Sequence, residues 1–333
     1  MIIQSILMQG SLTLLVSLFL SFYFVPFFRA VAIRFNILDA PDGKIKLQKK
    51  PTPYLGGLAV YCALLCGLVV SFPVTGNILL FLIGITLLLF LGLVDDLTPL
   101  EPYQKFAGQL LVVFCFLRSG IHLKEHFFSS PWNMAISASW ILTVVNGFNL
   151  IDVMDGLATV TAIGATGSFI IISMLLHQYD ITILLCAFVG ALLAFLYYNW
   201  PPATIYLGDA GSLCIGGFLA TVPFFLKWGT YNAYGYVTPI IVLAIPIIEI
   251  ASLILIRSYK GIPFYKGSPD HFCHYLQKNG WSKRGILSYV FGISILLALI
   301  GALCTYNLIS MPQVLGLMMC LIAAWIYLLC RKI

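Results

Sequence analysis

Charge is what this sequence has least of. Asp, Glu, Lys and Arg make up only 9% of its 333 residues, against 61% hydrophobic residues, and the mean hydropathy is +1.00. Soluble domains carry roughly a quarter charged residues, so an ordinary water-soluble enzyme is excluded. Paired cysteines are missing too. The nine cysteines lie scattered through apolar stretches without a CxxC pair. That excludes a zinc ribbon and a disulfide scaffold and leaves them as small buried hydrophobes. No basic run precedes the first apolar stretch and no small-residue cleavage site follows it, so this stretch is expected to be retained as a membrane helix.

What is present in quantity is apolar sequence. Eleven stretches, near 5 to 28, 54 to 72, 77 to 94, 106 to 121, 134 to 151, 157 to 176, 181 to 198, 212 to 227, 237 to 256, 285 to 304 and 312 to 330, have about the length an α-helix needs to cross a bilayer. The expected fold class is therefore all-α, a polytopic integral membrane protein of about 11 transmembrane helices.

Basic residues sort to the cytoplasmic side of membrane proteins. With the N-terminus outside and the C-terminus cytoplasmic, fifteen of the eighteen Lys and Arg fall on that side, leaving out only Arg118, Lys124 and Lys227. The net charge of +6 is then a product of membrane insertion, and no nucleic-acid partner is needed to explain it. The acids follow the same side. Nine of twelve are expected there, with Glu125 and Asp180 outside and Glu249 within a span. Five of the nine, Asp95, Asp96, Asp152, Asp155 and Asp209, stand at or just beyond helix ends far apart in sequence. Scattered interfacial charge would populate both faces.

Three stretches concentrate this chemistry. In "FLGLVDDLTPLEPYQKFAGQ", Asp95 and Asp96 point about 100° apart on a helix, so they serve different partners, and Lys105 returns on the next span as a counter-charge. In "NGFNLIDVMDGLATV", Asn146, Asn149 and Asp152 fall within about 120° of one another, while Asp155 joins them only if the helix ends first, as Gly156 allows. A polar seam between helices is the structural alternative. In "NWPPATIYLGDAGSLCIGG", the two prolines stop a helix and a Gly-Asp turn feeds the next helix N-terminus, an anion site with Asp209 placed to bring a divalent ion. His271 and His274, one turn apart beside Asp270, suit phosphate contact, with capping or packing as the alternative. "HLKEH", 122 to 126, matches an inverted zinc-protease pattern in a short loop without a third ligand, so metal chemistry there is set aside. Glu249 could serve function or bond a neighbouring helix.

Carboxylates without a His/Cys ligand set favour Mg²⁺ or Mn²⁺, which one or two carboxylates hold together with substrate phosphates. Such a site at a membrane surface suits the joining of a nucleotide substrate to a phosphorylated lipid, two anions whose repulsion the metal, Lys and His would offset.

The ordered set "TPYLGG" (52 to 57), "DD" (95 and 96), "NGFNLIDVMDGLA" (146 to 158), "YLGDAGS" (206 to 212) and "GSPDHFCHYL" (267 to 276) resembles the polyprenyl-phosphate N-acetylhexosamine-1-phosphate transferases over nearly the whole chain. The resemblance implies a single transmembrane transferase domain, 1 to 333, whose cytoplasmic loops 29 to 53, 95 to 105, 152 to 156, 199 to 211 and 257 to 284 form the active site. It implies transfer of a sugar 1-phosphate from a UDP-sugar to polyprenyl phosphate, such as undecaprenyl phosphate, with release of UMP and use of Mg²⁺, as the first membrane step of cell-envelope polysaccharide synthesis in a bacterial inner membrane. Implied partners are UDP-N-acetylhexosamine, polyprenyl phosphate and the membrane, with a homodimer as an allowed assembly. By likeness, Asp209 and Asp152 are metal ligands, and Asp95 and Asp96 serve catalysis, one of them deprotonating or orienting the lipid phosphate. Asn146, Asn149, Asp152 and Asp155 line the nucleotide-sugar and metal site. Asn199 and Tyr206 hold uridine, and Lys49 or Lys46, before Thr52, contacts substrate.

Two departures bear on this reading. Val153 stands where that family usually has Gly and is expected to crowd the backbone. The loop Asp270-His271-Phe272-Cys273-His274 lacks adjacent histidines, which favours N-acetylglucosamine over the muramoyl-pentapeptide branch. The CDP-alcohol phosphotransferases share Asp-x-x-Asp-Gly, but Leu157-Ala158-Thr159 does not continue their motif. An ion-coupled transporter or lipid flippase is the reading of another class; it would place its acids near mid-membrane in repeated halves.

Overall fold

The computed structural model describes residues 2 to 39, 51 to 71, 76 to 124, 129 to 263, 265 and 267 to 330. The chain is all-α. In order it forms α1 (Ile2–Arg34), α2 (Gly56–Ser71), α3 (Gly76–Leu97), α4 (Pro102–Arg118), α5 (Ser130–Ile151), α6 (Leu157–Leu175), α7 (Tyr179–Asn199), α8 (Gly208–Thr221), α9 (Thr238–Val242), α10 (Ala244–Tyr259), α11 (Phe272–Lys278), α12 (Lys283–Thr305) and α13 (Met311–Cys330). The strands among the described residues are two-residue segments, β1 (Leu38–Asp39) and β2 (Thr52–Pro53), antiparallel with Leu38 opposite Pro53.

Every predicted apolar stretch contains helix among the described residues, so the protein is a multi-pass membrane protein. Among the described residues eight helical segments are long and apolar enough to cross a membrane, with α8 counted together with the 3₁₀ turns that carry it on to Thr230, or nine if α9 and α10 count as one bent span. The remaining two stretches are shorter, α2 with 16 residues and α4 with 17. The ninth predicted span is not the continuous helix expected. It bends by 67° between α9 and α10, at Leu243, whose φ of −98° and ψ of 22° leave the helix. Pro246 explains the break, since it has no N–H for the Val242 carbonyl and its ring crowds that position. The eighth stretch likewise stops early, at Thr221, where Pro223 turns the chain into a 3₁₀ segment.

The centre of the bundle is α8. Thirteen of its fourteen residues are buried, all but Asp209, and it packs against α2, α3, α5 and α6. Its small residues make this possible, because without aqueous exclusion to drive association membrane helices gain from close backbone approach. A Cβ on Gly57 would lie 2.1 Å from Gly211 Cα, one on Gly92 would lie 2.3 Å from the Asp209 carbonyl oxygen, and one on Gly216 2.7 Å from Val145 Cα. Larger side chains fill the other end of α8, where Phe218 stacks on Phe188 at 3.9 Å and meets Phe81 edge-on at 5.3 Å. Around this centre α1 packs on α7 and α2, and α12 on α6 and α9, while α13 is the least buried of the long helices. The up-and-down threading brings the C-terminal ends of α3, α5 and α7 and the N-terminal ends of α4, α6, α8 and α12 to one end of the bundle.

Candidate active site

At that end Asp95 and Asp96 diverge, as the helical pitch requires. One Asp95 oxygen accepts the Leu100 N–H at 2.8 Å, closing the turn into α4, and the other meets Lys105 Nζ at 2.8 Å. Lys105 also reaches Asp209 at 3.2 Å and donates to the Asn149 carboxamide oxygen at 3.4 Å. Asn149 in turn donates to the Asp209 carboxylate and, at 2.9 Å, to Ser212 Oγ. Four elements, α3, α4, α5 and α8, thus meet through two carboxylates, one ammonium and one carboxamide.

Asp96 turns the other way. Its two oxygens accept the backbone N–H groups of Asp209 at 2.8 Å and Ala210 at 3.0 Å. These are orphan donors at the start of α8, so Asp96 caps that helix from across the bundle and offsets its positive end. Gly208 is required beside it. Its φ is +75°, and a Cβ there would stand 2.6 Å from an Asp96 oxygen. Asp96 therefore positions Asp209, while Asp95 is the acid that faces Lys105.

Asp152 follows α5 at its C-terminal cap. Burial and, in decreasing order, the charges of Asp209, Asp96 and Asp155 push its carboxyl well above the usual carboxylate range. Beyond it the helix has ended and Gly156 adopts a left-handed φ of +77°, so Asp155 is delivered from the turn. Asp155 pairs with Lys283 at 2.9 Å and accepts the Ala203 N–H at 3.4 Å. Val153 does not crowd this turn, because its side chain is exposed.

Other predicted residues are engaged differently from the expectation. Asn146 joins Gln109 of α4 in a reciprocal amide pair, at 2.8 and 3.2 Å, and also donates to the Leu142 carbonyl. It forms the polar seam, and Gln109, which is almost wholly buried, went unrecognised because a lone glutamine in an apolar run carries no pattern. Asn199 is only 3% exposed and fully bonded: its oxygen accepts from Gly156 N–H at 3.0 Å and Thr159 Oγ1 at 2.9 Å, and its nitrogen donates to the Ile205 carbonyl at 3.0 Å. Here it braces the loop that carries Tyr206 and does not face open space as a uridine ligand would. Asn199→Leu is expected to destabilise the fold by roughly 3 kcal/mol, since it strands three buried polar groups. A lower thermal unfolding midpoint of the detergent-solubilised protein is the check. An unchanged midpoint with a raised KM for nucleotide sugar would restore the ligand role.

Tyr206 is half-buried and hydrogen-bonds Thr52 through its side chain. Its backbone joins the same segment, donating to the Pro53 carbonyl at 2.8 Å and accepting the Gly56 N–H at 3.0 Å. Lys46 and Lys49 lie outside the described residues. His271 is buried and its Nδ1 lies 2.9 Å from Glu249 of α10. Glu249 also accepts the Phe272 N–H, so its role is to fasten the start of α11. His274 stands half-buried with its ring 5.9 Å from that of His271. Burial, followed by the nearby His271, Lys278 and Lys283, holds it below the ordinary histidine value. Gln277 reaches Met154 at 3.1 Å and Lys283 reaches Asp155, so this loop closes on the 152 to 156 turn. His122, near the opposite end, has its Nδ1 2.7 Å from the Leu123 carbonyl oxygen; Glu125 and His126 are outside the described residues.

Among the described residues no three His, Cys, Asp or Glu side chains gather as a closed metal cage. Asp209 and Asp152, close enough for the charge of one to act on the other, offer hard carboxylate oxygens. Mg²⁺ takes one or two donors of this type and completes its shell with water and substrate phosphates.

Fold and site together define a helical, multi-pass membrane protein with an acidic centre at one end of the bundle. The model of glycosyl transferase family 4 matches residues 78 to 227, a range that contains Asp95, Asp96, Lys105, Asn149, Asp152, Asp155 and Asp209. The chain is 28% identical over 297 residues to a probable undecaprenyl-phosphate N-acetylglucosaminyl 1-phosphate transferase of Bacillus subtilis (strain 168), covering 84% of this chain and 82% of that protein. It is 29% identical over 328 residues to the phospho-N-acetylmuramoyl-pentapeptide-transferase of Geobacillus thermodenitrificans (strain NG80-2), covering 90% of this chain and 97% of that one. The chain is thus similar to members of glycosyl transferase family 4, and the family match spans the segment that carries the acidic centre.

Proposed function

We propose that this protein transfers N-acetylglucosamine 1-phosphate from UDP-N-acetylglucosamine to a polyprenyl phosphate such as undecaprenyl phosphate, releasing UMP, at the cytoplasmic face of a bacterial inner membrane. The observation that carries the proposal is the Asp95–Lys105–Asp209–Asn149 cluster, assembled from four helices at one end of a membrane bundle.

In this reaction an oxygen of the lipid phosphate attacks the sugar-bearing phosphorus of the UDP-sugar. The bond from that phosphorus to the bridging oxygen breaks, and UMP leaves with the electron pair. Asp209 and Asp152 would hold Mg²⁺, which when bound offsets the negative charge of the pyrophosphate. The chain's own groups do the rest. Lys105, now shared by two carboxylates, supplies a mobile cation for phosphate oxygens. Asp95 is the acid left to deprotonate or orient the lipid phosphate, since Asp96 is committed to α8. Asn149 presents donors and an acceptor in place of a repelling charge. His274, half-buried beside His271 and near Lys283, is suited to donate to the sugar phosphate.

The loop without adjacent histidines favours N-acetylglucosamine, as does the name of the Bacillus subtilis relative. Transfer of phospho-N-acetylmuramoyl-pentapeptide is the second reading, favoured by relatives that align over 90% of the chain. The purified protein, given Mg²⁺, polyprenyl phosphate and either radiolabelled UDP-N-acetylglucosamine or the UDP-muramoyl-pentapeptide, should move label into extracted lipid with the first donor and release UMP. Label from the second donor alone would reverse the choice. Label from neither, and no UMP, would return the transporter reading.

A further inference from the structure

A second polar feature lies outside the acidic centre. At the same end of the bundle a cavity of about 530 Å³ opens between the end of α1, the end of α7 and the start of α12, lined by Arg29, Arg284, Tyr197, Tyr198, Trp200 and Thr204 among others. Arg29 Nε donates to the Thr204 carbonyl at 3.0 Å and Arg284 Nη2 to the Pro201 carbonyl at 3.4 Å. Among the described residues neither guanidinium has a carboxylate partner. Each has five N–H donors in a planar fork, so most of the hydrogen-bonding capacity of two cations is directed at one cavity.

The loop that both arginines grip, 201 to 204, separates them from the acids. Ala203 N–H of the same loop bonds Asp155, which also pairs with Lys283, and no carboxylate is among the residues lining the cavity. Two guanidinium groups that face one space without a carboxylate partner among the described residues suit an anionic oxygen ligand, and phosphate is the group their forks match bidentately. The walls indicate what carries that phosphate. Tyr197 is 71% exposed, and Phe22 of α1 meets Tyr197 and Tyr198 edge-on at 5.8 and 6.1 Å. Exposed Phe19, Tyr23 and Phe27 continue this surface along α1. Aromatic rings below arginines are the arrangement of the headgroup level of a bilayer, with an apolar track for acyl chains beneath.

We propose that this cavity is a binding site for a phosphate-bearing lipid headgroup, separate from the transfer centre and joined to it by the 201 to 206 loop. Its occupation would tighten that loop, which leads through Tyr206 into Asp209. The proposal does not depend on the transferase reading, because binding can be measured without substrates. Native mass spectrometry of the detergent-purified protein, titrated separately with phosphatidylglycerol, phosphatidylcholine and polyprenyl phosphate, compares wild type with Arg29→Gln/Arg284→Gln.

One tightly held phosphatidylglycerol is expected on wild type, with binding about 10-fold weaker in the double variant, the scale of losing charge-assisted hydrogen bonds. Phosphatidylcholine, whose headgroup is neutral overall, should show no difference between the two. A difference confined to polyprenyl phosphate would identify the headgroup as the acceptor's own and support the same site chemistry. Equal retention of both anionic lipids by variant and wild type would overturn the proposal. So would displacement of the lipid by millimolar inorganic phosphate, which would mark a free-phosphate site. Arg29→Lys/Arg284→Lys keeps the charge and should recover part of the binding, and matching unfolding midpoints for the three proteins exclude misfolding as the cause.

Discussion

Asp209→Asn is expected to lower transfer of labelled sugar phosphate into lipid by at least ~100-fold, the scale at which loss of one electrostatic stabiliser at a reacting centre is felt. Asp209 is the residue on which the site converges. Its backbone N–H is held by Asp96, its carboxylate by Lys105 and Asn149, and its carbonyl rests on Gly92. The substitution keeps the size of the side chain and leaves the backbone bond to Asp96 in place, so folding and membrane insertion should be retained. What changes is charge. Lys105 loses one of its two carboxylates, and the hard anionic oxygen that would share a divalent cation with substrate phosphates is gone. The measurement is single-turnover label transfer at saturating donor, where a fall in rate separates lost chemistry from lost binding. Turnover within a few-fold of wild type would remove Asp209 from the site and move the search to Asp152 and Asp155.

Much of this arrangement was legible before any coordinates, for physical reasons that can be named. Uninterrupted apolar runs report bilayer crossing directly, and the divergence of Asp95 and Asp96 follows from helix pitch alone. The end of α5 before Asp155 was visible in Gly156. Partner identity was not legible. That Asp96 caps α8 depends on a contact across 113 positions of sequence, and nothing local in "VDD" distinguishes a capping carboxylate from one that faces a cation. The same holds for Asn146 and Asn199. A carboxamide near an acidic motif looks like a ligand group, but whether its donors are free is decided by neighbours such as Gln109 and Thr159. Glu249 is the converse case: left open by the sequence, it acquires a role only when α10 and the 271 to 272 turn meet. The break in the ninth span had a local signal in Pro246, outweighed by the hydrophobicity on either side.

Asp152→Asn should abolish most turnover and at the same time stabilise the substrate-free protein. The Asp152 carboxyl is half-buried and surrounded by like charge, with burial and then Asp209, Asp96 and Asp155 raising its ionisation well above the usual range. In the unfolded chain the same carboxyl ionises in the ordinary carboxylate range. Between the two values the folded protein keeps a proton that the unfolded chain has released, so stability falls as pH rises through that window. Asparagine cannot ionise. The variant should therefore match wild type at a pH below the ordinary carboxylate value and exceed it increasingly as pH rises, with the largest difference in unfolding midpoint above the raised value. Divalent cation reverses the comparison. Mg²⁺ with UDP should raise the wild-type midpoint, because a ligand that binds only the folded state stabilises it, and should raise that of Asp152→Asn less. An unfolding midpoint that is lower in the variant at every pH would mean that the Asp152 carboxylate is already satisfied by partners within the fold, and its place in the transfer centre would have to be given up.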